Sequence, residues 1–158
     1  MFVYHFRLRK GLTAAAAAAF TLLLTLLLVL PGCQKQDAVP IPAGTDADRV
    51  AYLTGLGWAV EETPVETLDL LLPERLQDDW ANYAALQKEQ GLPFADFAGQ
   101  TVRRYTYTVT NYPGIPEGVQ ANLFVCGDQL IGGDIISLAE NGFQTGLTFP
   151  EQKSQDHP

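Results

Sequence analysis

The sequence predicts an α+β domain: two helices packed on one face of a mainly antiparallel sheet built on a three-stranded meander. Three observations support this prediction. Apolar residues recur at helical spacing over 46–56 and again after Pro73. Alternating apolar and polar residues then follow at 101–111, 118–126 and 129–137, with turn residues between them. Helices and consecutive strands that are segregated along the chain are typical of α+β domains.

The first helix is predicted over residues 46–56. Thr45 and Asp48 have the spacing of a capping box, in which each side chain satisfies a backbone N–H at the helix start. Gly57 fits the left-handed position that closes a helix. The apolar face comprises Val50, Leu53 and Leu56.

An extended region follows this helix. Apolar and polar residues alternate from Glu66 to Leu72, and Pro64 interrupts the pattern before them. We therefore predict a short extended piece near 58–62 and a strand near 65–71.

The second helix is predicted to begin at Pro73, because proline needs no hydrogen-bond partner at the first helical position. Gly91 and the proline after Leu92 end it. Trp80 and Tyr83 could form a ligand-stacking pair, but their spacing favours core aromatics. The predicted buried stripe consists of Leu76, Trp80, Tyr83, Ala84 and Gln87.

The alternating side chains at 101–111 predict a strand in a sheet that has one covered face and one polar face. Its two sets of side chains are Arg103, Tyr105, Tyr107 and Val109 on one side, and Val102, Arg104, Thr106, Thr108 and Thr110 on the other. Residues 111–118 are a connection rich in turn residues. Residues 139–146 are expected to form a turn or a short helix.

A tight hairpin is predicted at 127–128, where Gly and Asp form a two-residue turn. This turn fixes the register of the flanking strands. It places Val125 beside Leu130 and Phe124 beside Ile131.

The N-terminal region predicts delivery across a membrane. Residues 1–12 contain basic residues and no acid, and residues 13–30 are apolar apart from three threonines. The next residues, Leu30-Pro31-Gly32-Cys33, resemble the bacterial lipobox. This resemblance implies cleavage before Cys33 and attachment of acyl chains such as palmitate to it, so that membrane lipid is a partner.

An uncleaved transmembrane anchor is the alternative for this region, because 18 apolar residues in a helix span about 27 Å. Both interpretations place the domain at the cell membrane on its outer, extracytoplasmic face. The predicted organisation is a lipoprotein signal peptide at 1–32, a tether at 33–44, an α+β domain at 45–147 and a polar tail at 148–158.

Charge and residue usage exclude several function classes. After Cys33 the chain has 18 Asp and Glu but seven Lys and Arg, a net charge of −11, which argues against nucleic acid as a partner. The two histidines are His5 and His157, outside the predicted domain, so nucleophile–histidine catalysis and a histidine-rich zinc site are not expected. Cys126 has no second cysteine in the domain. We expect no cofactor and no metal.

Several motifs together resemble an uncharacterised family, a domain of unknown function found in secreted proteins and lipoproteins of Gram-positive anaerobes. The resemblance covers roughly residues 48–147 and implies an extracytoplasmic α+β domain without a known reaction. The motifs are Arg104-Tyr105-Thr106-Tyr107, Asn111-Tyr112-Pro113, Ile131-Gly132-Gly133-Asp134 and Gly142-Phe143.

Asp134 is the most unusual residue, because a carboxylate that follows two glycines inside an apolar strand needs partners. One interpretation is structural: it pairs with Arg103 or Arg104, or caps a turn after a bulge. The other is a cation or ligand site that it forms with Asn111, Asn122 or Tyr107. The candidate binding residues are Asp134, Asn111, Tyr107 and Arg104.

The preferred function is a non-enzymatic binding or accessory module that contacts an envelope protein or peptide through the polar sheet face or the 111–118 loop. One alternative is an acid-residue hydrolase that acts on envelope polysaccharide, which would need a second carboxylate near Asp134. Glu117 and Asp128 are available but lie in predicted turns. A purely structural spacer domain is the other alternative.

Overall fold

A computed structural model describes residues 39–150, so the leader, Cys33 and the end of the tail lie outside the described residues. The elements in chain order are α1 (Asp46–Gly55), β1 (Glu66–Leu71), α2 (Asp79–Glu89), a 3-10 turn (Phe94–Phe97), β2 (Thr101–Val109), β3 (Val119–Cys126), β4 (Gln129–Ser137) and β5 (Gln144–Thr145). The predicted α+β class is confirmed. None of the helices within 39–150 combines the length and the apolar character that a membrane span requires.

The sheet has five strands in the order β1-β2-β3-β4-β5, and every neighbouring pair is antiparallel. The predicted meander forms its centre, as β2, β3 and β4. The hairpin register is right at Val125, which pairs with Leu130, and wrong one residue further along. A bulge between Phe124 and Val125 leaves Ile131 as the extra residue, so Phe124 pairs with Gly132.

The ends of α1 follow the predicted chemistry. The Thr45 hydroxyl accepts from the backbone N–H of Asp48, and the Asp48 carboxylate accepts from the backbone N–H of Thr45 at 3.0 Å. Gly57 has φ 97, and the backbone N–H of Trp58 donates to the Leu53 carbonyl at 3.0 Å. The capping box and the glycine stop are therefore confirmed.

One face of the sheet, which we call the α1 face, is covered by α1 and the segment after it. Trp58 is almost fully buried here, and its Nε1 donates to the Leu147 carbonyl at 2.7 Å. Arg49 is buried as well, because its guanidinium donates to Tyr107 Oη and lies over the Tyr105 ring. The buried apolar side chains on this face include Leu53, Val109, Val119, Ala121, Leu123, Val125, Leu130 and Ile135.

The start of the second helix differs from the prediction. The helix begins at Asp79 rather than at Pro73, whose carbonyl instead accepts from the backbone N–H of Gly99 at 3.1 Å. Asp78, the residue before the helix, has a left-handed φ of 51. The chain thus turns sharply between the proline and the helix, and helical hydrogen bonding begins only after that turn.

The prediction that both helices pack on one face of the sheet is also wrong. Leu53 of α1 packs with Tyr107 and Val109, whereas α2 packs on Val102 and Phe124 of the opposite face. Successive strand residues point to opposite faces, so α1 and α2 cover different sides. Each helix buries one side, and the residues on that side do not say which face of the sheet the helix covers. We call the second side the α2 face.

The ends of the described chain contact the domain more than the sequence predicts. Pro42 forms a bridge with Gln129, the backbone N–H of Leu130 donates to the Ile41 carbonyl, and Ala43 is almost fully buried. Residues 41–44 therefore belong to the domain rather than to the predicted tether. At the other end the Phe149 ring packs against Trp58 in a tilted orientation, with a centroid distance of 4.6 Å. The 139–146 region contains a turn and β5, not a helix.

Candidate functional site

A groove lies between α2 and the polar part of the α2 face, with a volume of about 600 Å³. We call it the α2 groove. It combines carboxylates, amides, a guanidinium and aromatic rings, the mixture of apolar walls and few polar groups that is typical of ligand sites. Its lining residues are Asp79, Trp80, Asn82, Tyr83, Leu86, Arg104, Asn122, Phe124, Asp134, Ile136 and Gln144.

Asp134 lies at the base of the α2 groove with 1% of its surface exposed. Tyr83 Oη donates to Oδ1 at 3.0 Å, and Gln144 Nε2 donates to Oδ2 at 2.7 Å. Asn122 lies opposite it in the β3–β4 register. Three elements therefore hold this carboxylate: a helix, a neighbouring strand and the short edge strand.

Burial raises the pKa of the Asp134 carboxyl, while hydrogen bonds from Gln144, Tyr83 and Asn122 and the nearby Arg104 oppose that rise. Burial and the adjacent carboxylate also raise the pKa of the Tyr83 phenol well above its usual value. A carboxyl and a phenol with perturbed pKa values in one groove are typical of functional sites.

Arg104 forms the opposite wall of the α2 groove. Its Nη2 is paired with the Glu66 carboxylate, and no salt bridge joins it to Asp134 within residues 39–150. Its Nε is buried without a hydrogen-bond partner. The sequence-based alternative of an ion pair with Asp134 is therefore wrong for Arg104. It is also wrong for Arg103, which pairs with Asp69 on the α1 face.

Trp80 and Tyr83 are core aromatics, as their spacing favours, and they also border the α2 groove. Their rings pack against Phe94 at centroid distances of 6.1 and 4.9 Å, as core aromatics do. Both side chains remain half-buried and line the α2 groove. One side of each ring therefore packs in the core, and the other side lines the α2 groove.

Asp78 adds strain at the rim of the α2 groove. Its φ of 51 and ψ of −124 belong to a region that residues other than glycine rarely adopt, and its side chain makes no capping hydrogen bond. It directly precedes Asp79 and Trp80, which line the groove. Strain of this kind tends to persist at sites that hold ligands.

Gln87 of α2 and Gln90, which follows the end of that helix, cover the edge of β4 beside the groove. Gln87 Oε1 accepts from the backbone N–H of Gly133 at 2.8 Å, and Gln90 Nε2 donates to the Gly133 carbonyl at 3.0 Å. β5 does not extend along β4 as far as Gly133. There the two side-chain amides bond to the β4 backbone as a neighbouring strand would. They fix α2 against the sheet and so set the width of the groove.

The structure brings together two of the four candidate residues, Arg104 and Asp134. Tyr107 lies on the α1 face, fully buried, with its hydroxyl 2.8 Å from Arg49 Nε. Asn111 holds the segment after α1: Oδ1 accepts from the Ala59 N–H at 2.8 Å and Nδ2 donates to the Gly57 carbonyl at 2.9 Å. Both side chains therefore have structural partners away from the groove.

The 111–118 loop also contacts the α1 side. Tyr112 stacks on Trp58 at 5.8 Å and approaches Phe143 at 5.0 Å. Ile115 packs on the same core. The loop has aromatic anchors of its own and takes no part in the lining of the α2 groove.

Several groove residues could not be identified from the sequence. Asp79 and Asn82 read as ordinary polar residues of a helix surface, and Gln144 lies in a segment without periodicity. Gln87 offered a signal, because it is a polar residue on an otherwise apolar helical stripe. Within residues 39–150, no three His, Cys, Asp or Glu side chains lie close enough together to hold a metal ion.

Comparison with protein families matches residues 52–135 to "Domain of unknown function (DUF4830)". The chain belongs to this family. The match spans more than half of the chain and runs from α1 to β4, including Arg104 and Asp134 of the groove. The predicted resemblance to an uncharacterised family is confirmed, while the lipobox and the Gram-positive source stay predictions. The searches of curated proteins and of solved structures each find no significant match.

Proposed function

We propose that this DUF4830 protein is a lipid-anchored extracytoplasmic binding module that holds a peptide-like envelope component in the α2 groove. The observation that carries the proposal is the groove itself, where a guanidinium with unused donors faces a buried carboxylate across half-buried aromatic rings. Aromatic and arginine side chains in a concave site are the groups that contribute most to recognition.

Arg104 sets the chemistry of the ligand. A guanidinium has five N–H donors, and within residues 39–150 only Nη2 makes a hydrogen bond. A carboxylate or carbonyl oxygen of a ligand would satisfy the remaining donors on the groove side. The exposed side chains of Asp79 and Asn82 on the opposite wall supply acceptors for amide N–H groups. Carbonyls and N–H groups together describe a peptide backbone.

Site-specific photocrosslinking in intact cells tests this proposal. A photoreactive residue replaces Asn82, which is exposed and lines the α2 groove, or Thr54, which is exposed on α1. We expect a discrete crosslinked species from position 82 and none at position 54. Equal crosslinking from both positions would contradict a ligand in the groove.

The chain offers a matched pair of arginines for the same experiment. Arg103 and Arg104 are neighbours on β2, each pairs with an acid of β1, and they point to opposite faces. Arg104→Gln should reduce crosslinking at position 82 at least tenfold, because one charged hydrogen bond contributes about 1.5–3 kcal/mol. Arg103→Gln should leave it unchanged. If both variants reduced crosslinking, the cause would be the loss of a positive charge from the domain and not the loss of a contact made by Arg104.

Lipid anchorage is tested separately, because Cys33 lies outside the described residues. Its support is the basic, apolar and lipobox-like order of the leader. Metabolic labelling with a palmitate analogue should mark the wild-type protein and not Cys33→Ala. An unlabelled protein that stays in the membrane fraction would instead favour the uncleaved anchor.

One observation keeps the hydrolase alternative open. Asp79 is exposed and lines the same groove as buried Asp134, and a carboxyl with a raised pKa suits a general acid. The test is release of soluble sugar from purified envelope polysaccharide. Turnover that falls at least about 100-fold in Asp134→Asn would establish this function. Absence of turnover by the wild-type protein would exclude it.

A further inference from the structure

The two lateral edges of the sheet are built differently. The β4 edge is covered by β5, by Gln87 and Gln90, and by the bridge from Pro42. β1 pairs with β2 on one side, and within residues 39–150 no strand pairs with its other side. Unpaired edges expose backbone N–H and C=O groups and are ordinarily protected by charge, proline or cover.

The open edge also carries most of the exposed large apolar side chains of the domain. Val65, Leu68 and Leu71 are 57%, 41% and 71% exposed. They are spaced by three residues, so Leu68 lies midway between the other two. Edge strands that expose leucines are sites of strand addition.

The even spacing of these three residues suits pairing with a second copy of β1. When two antiparallel copies of β1 pair about a two-fold axis at Leu68, residue 65 of one copy lies opposite residue 71 of the other. Leu68 then lies opposite its own copy, and every exposed apolar side chain gains an apolar partner.

The charges of the edge allow the same pairing. In this register Glu66 lies opposite Leu70 and Asp69 lies opposite Thr67, so no two acids face each other directly. Each acid is already paired within its own chain, Glu66 with Arg104 and Asp69 with Arg103. The edge is therefore close to neutral although the whole chain carries a net charge of −8.

We propose that two copies of this protein associate through β1 and form a continuous ten-stranded antiparallel sheet centred on Leu68. The proposal is independent of the groove and of its ligand. An extended strand from a different protein is the competing occupant of this edge.

Disulfide trapping tests the register on the full-length, membrane-extracted protein. Directly opposed residues of antiparallel strands have Cα atoms about 4.5–5.5 Å apart, which is within disulfide range. In a Cys126→Ser background, Leu68→Cys should give a covalent dimer under mild oxidation. Thr67→Cys should give at least tenfold less, because Asp69 lies opposite it. Equal or absent crosslinking of the two variants overturns the proposal.

Charge substitution at Thr67 supplies a readout that a change in folding would not mimic. Thr67 is exposed and lies opposite Asp69 of the second copy, and the two-fold axis makes this contact twice. Thr67→Arg should tighten the dimer by about 2- to 30-fold, and Thr67→Glu should weaken it by a similar factor, in sedimentation measurements. A same-direction effect, or capture of another protein at β1 without the Leu68 crosslink, contradicts association of two copies.

Discussion

The two faces of the sheet use the same five strands for different purposes. On the α1 face, buried apolar side chains run from β2 to β4, and each guanidinium nitrogen of the buried Arg49 donates a hydrogen bond. On the α2 face, the apolar cluster around Phe94 and Phe124 occupies one end only. The rest of that face carries Arg104, Asn122 and Asp134, with a groove above them.

This difference separates the packing that stabilises the domain from the polar groups that form the candidate site. A buried carboxylate and a buried unpaired guanidinium N–H both cost stability, and each could be replaced by an apolar residue. On the α1 face the buried charge of Arg49 is better compensated, because each of its guanidinium nitrogens donates a hydrogen bond and Asp46 pairs with it. We infer that the α2 face gives up stability for the sake of its polar groups.

Substitution of Trp58 should destabilise the protein most, and Trp80 is the matched comparison on the other face. Trp58→Ala should lower the free energy of unfolding by about 3–5 kcal/mol, because it removes a buried ring and its hydrogen bond to Leu147. Trp80→Ala should cost clearly less, because Trp80 is half-buried at the groove. Urea unfolding of the purified protein measures both values. If both substitutions lowered the free energy of unfolding equally, the two faces would not differ in their contribution to stability.

The paired glycines of β4 provide the second comparison. An added Cβ at Gly133 would lie 2.8 Å from the Asn122 carbonyl, which cannot move, and 2.6 Å from Leu147 Cδ1 on the α1 face. At Gly132 it would lie 2.8 Å from the Phe94 ring on the α2 face. Gly133→Ala should cost about 1–3 kcal/mol and Gly132→Ala less. Gly55→Ala is the control, because nothing lies within 4 Å of its Cβ position.

The helix starts give the third comparison. Thr45→Ala removes the hydrogen-bonded cap of α1 and should cost about 1 kcal/mol. Asp78→Gly relieves the left-handed φ before α2 and should raise the free energy of unfolding by up to about 1 kcal/mol. Thermal unfolding reports both changes with opposite sign. A destabilising Asp78→Gly would show that the side chain, and not the strain, matters at this position.

The pH dependence of the free energy of unfolding should show the weakest effect. Burial raises the pKa of Asp134 above its usual value of 3.8, so above that pH this carboxyl is more protonated in the folded protein than in the unfolded chain. Its contribution to stability therefore falls as pH rises from 3.8 through the folded pKa. In urea unfolding at several pH values, the stability of Asp134→Asn relative to wild type should increase across this window.

Asp69 is the control for that pH dependence. Its hydrogen bond with Arg103 lowers its pKa, so it stabilises the folded protein above the usual value of 3.8 and loses this effect as pH falls. Asp69→Asn should therefore lose stability relative to wild type as pH rises. If both variants showed the same trend, burial would not be the dominant influence on Asp134.

The sequence predicted local structure well and relations between elements poorly. The cap at Thr45, the stop at Gly57, the hairpin at 127–128 and the strand ranges follow from rules that act within a few residues. The face on which each helix lies depends on packing between distant segments. A hydrophobic stripe reports that one side of a helix is buried, but not against what.

The candidate site shows the same division. Asp134 stands out in the sequence because a carboxylate inside an apolar strand needs partners, and Arg104 is one of the partners that the sequence offers. Tyr107 and Asn111 are the other candidate residues, and both lie away from Asp134: Tyr107 is on the α1 face, and Asn111 bonds to the backbone of the segment after α1. Gln144 and Tyr83, the actual partners of Asp134, approach from β5 and α2.

The bridge between Pro42 and Gln129 bears on how the protein stands on a membrane. The chain enters the domain beside the β3–β4 hairpin, so an anchor at Cys33 would hold that end of the strands close to lipid. A two-fold pair through β1 directs its two hairpins in opposite directions. Two acylated Cys33 residues of such a pair would reach one bilayer most directly with the ten-stranded sheet parallel to its surface. One sheet face would then be turned towards the lipid headgroups, and the orientation of α2 would decide whether the groove opens onto the membrane or onto the cell exterior.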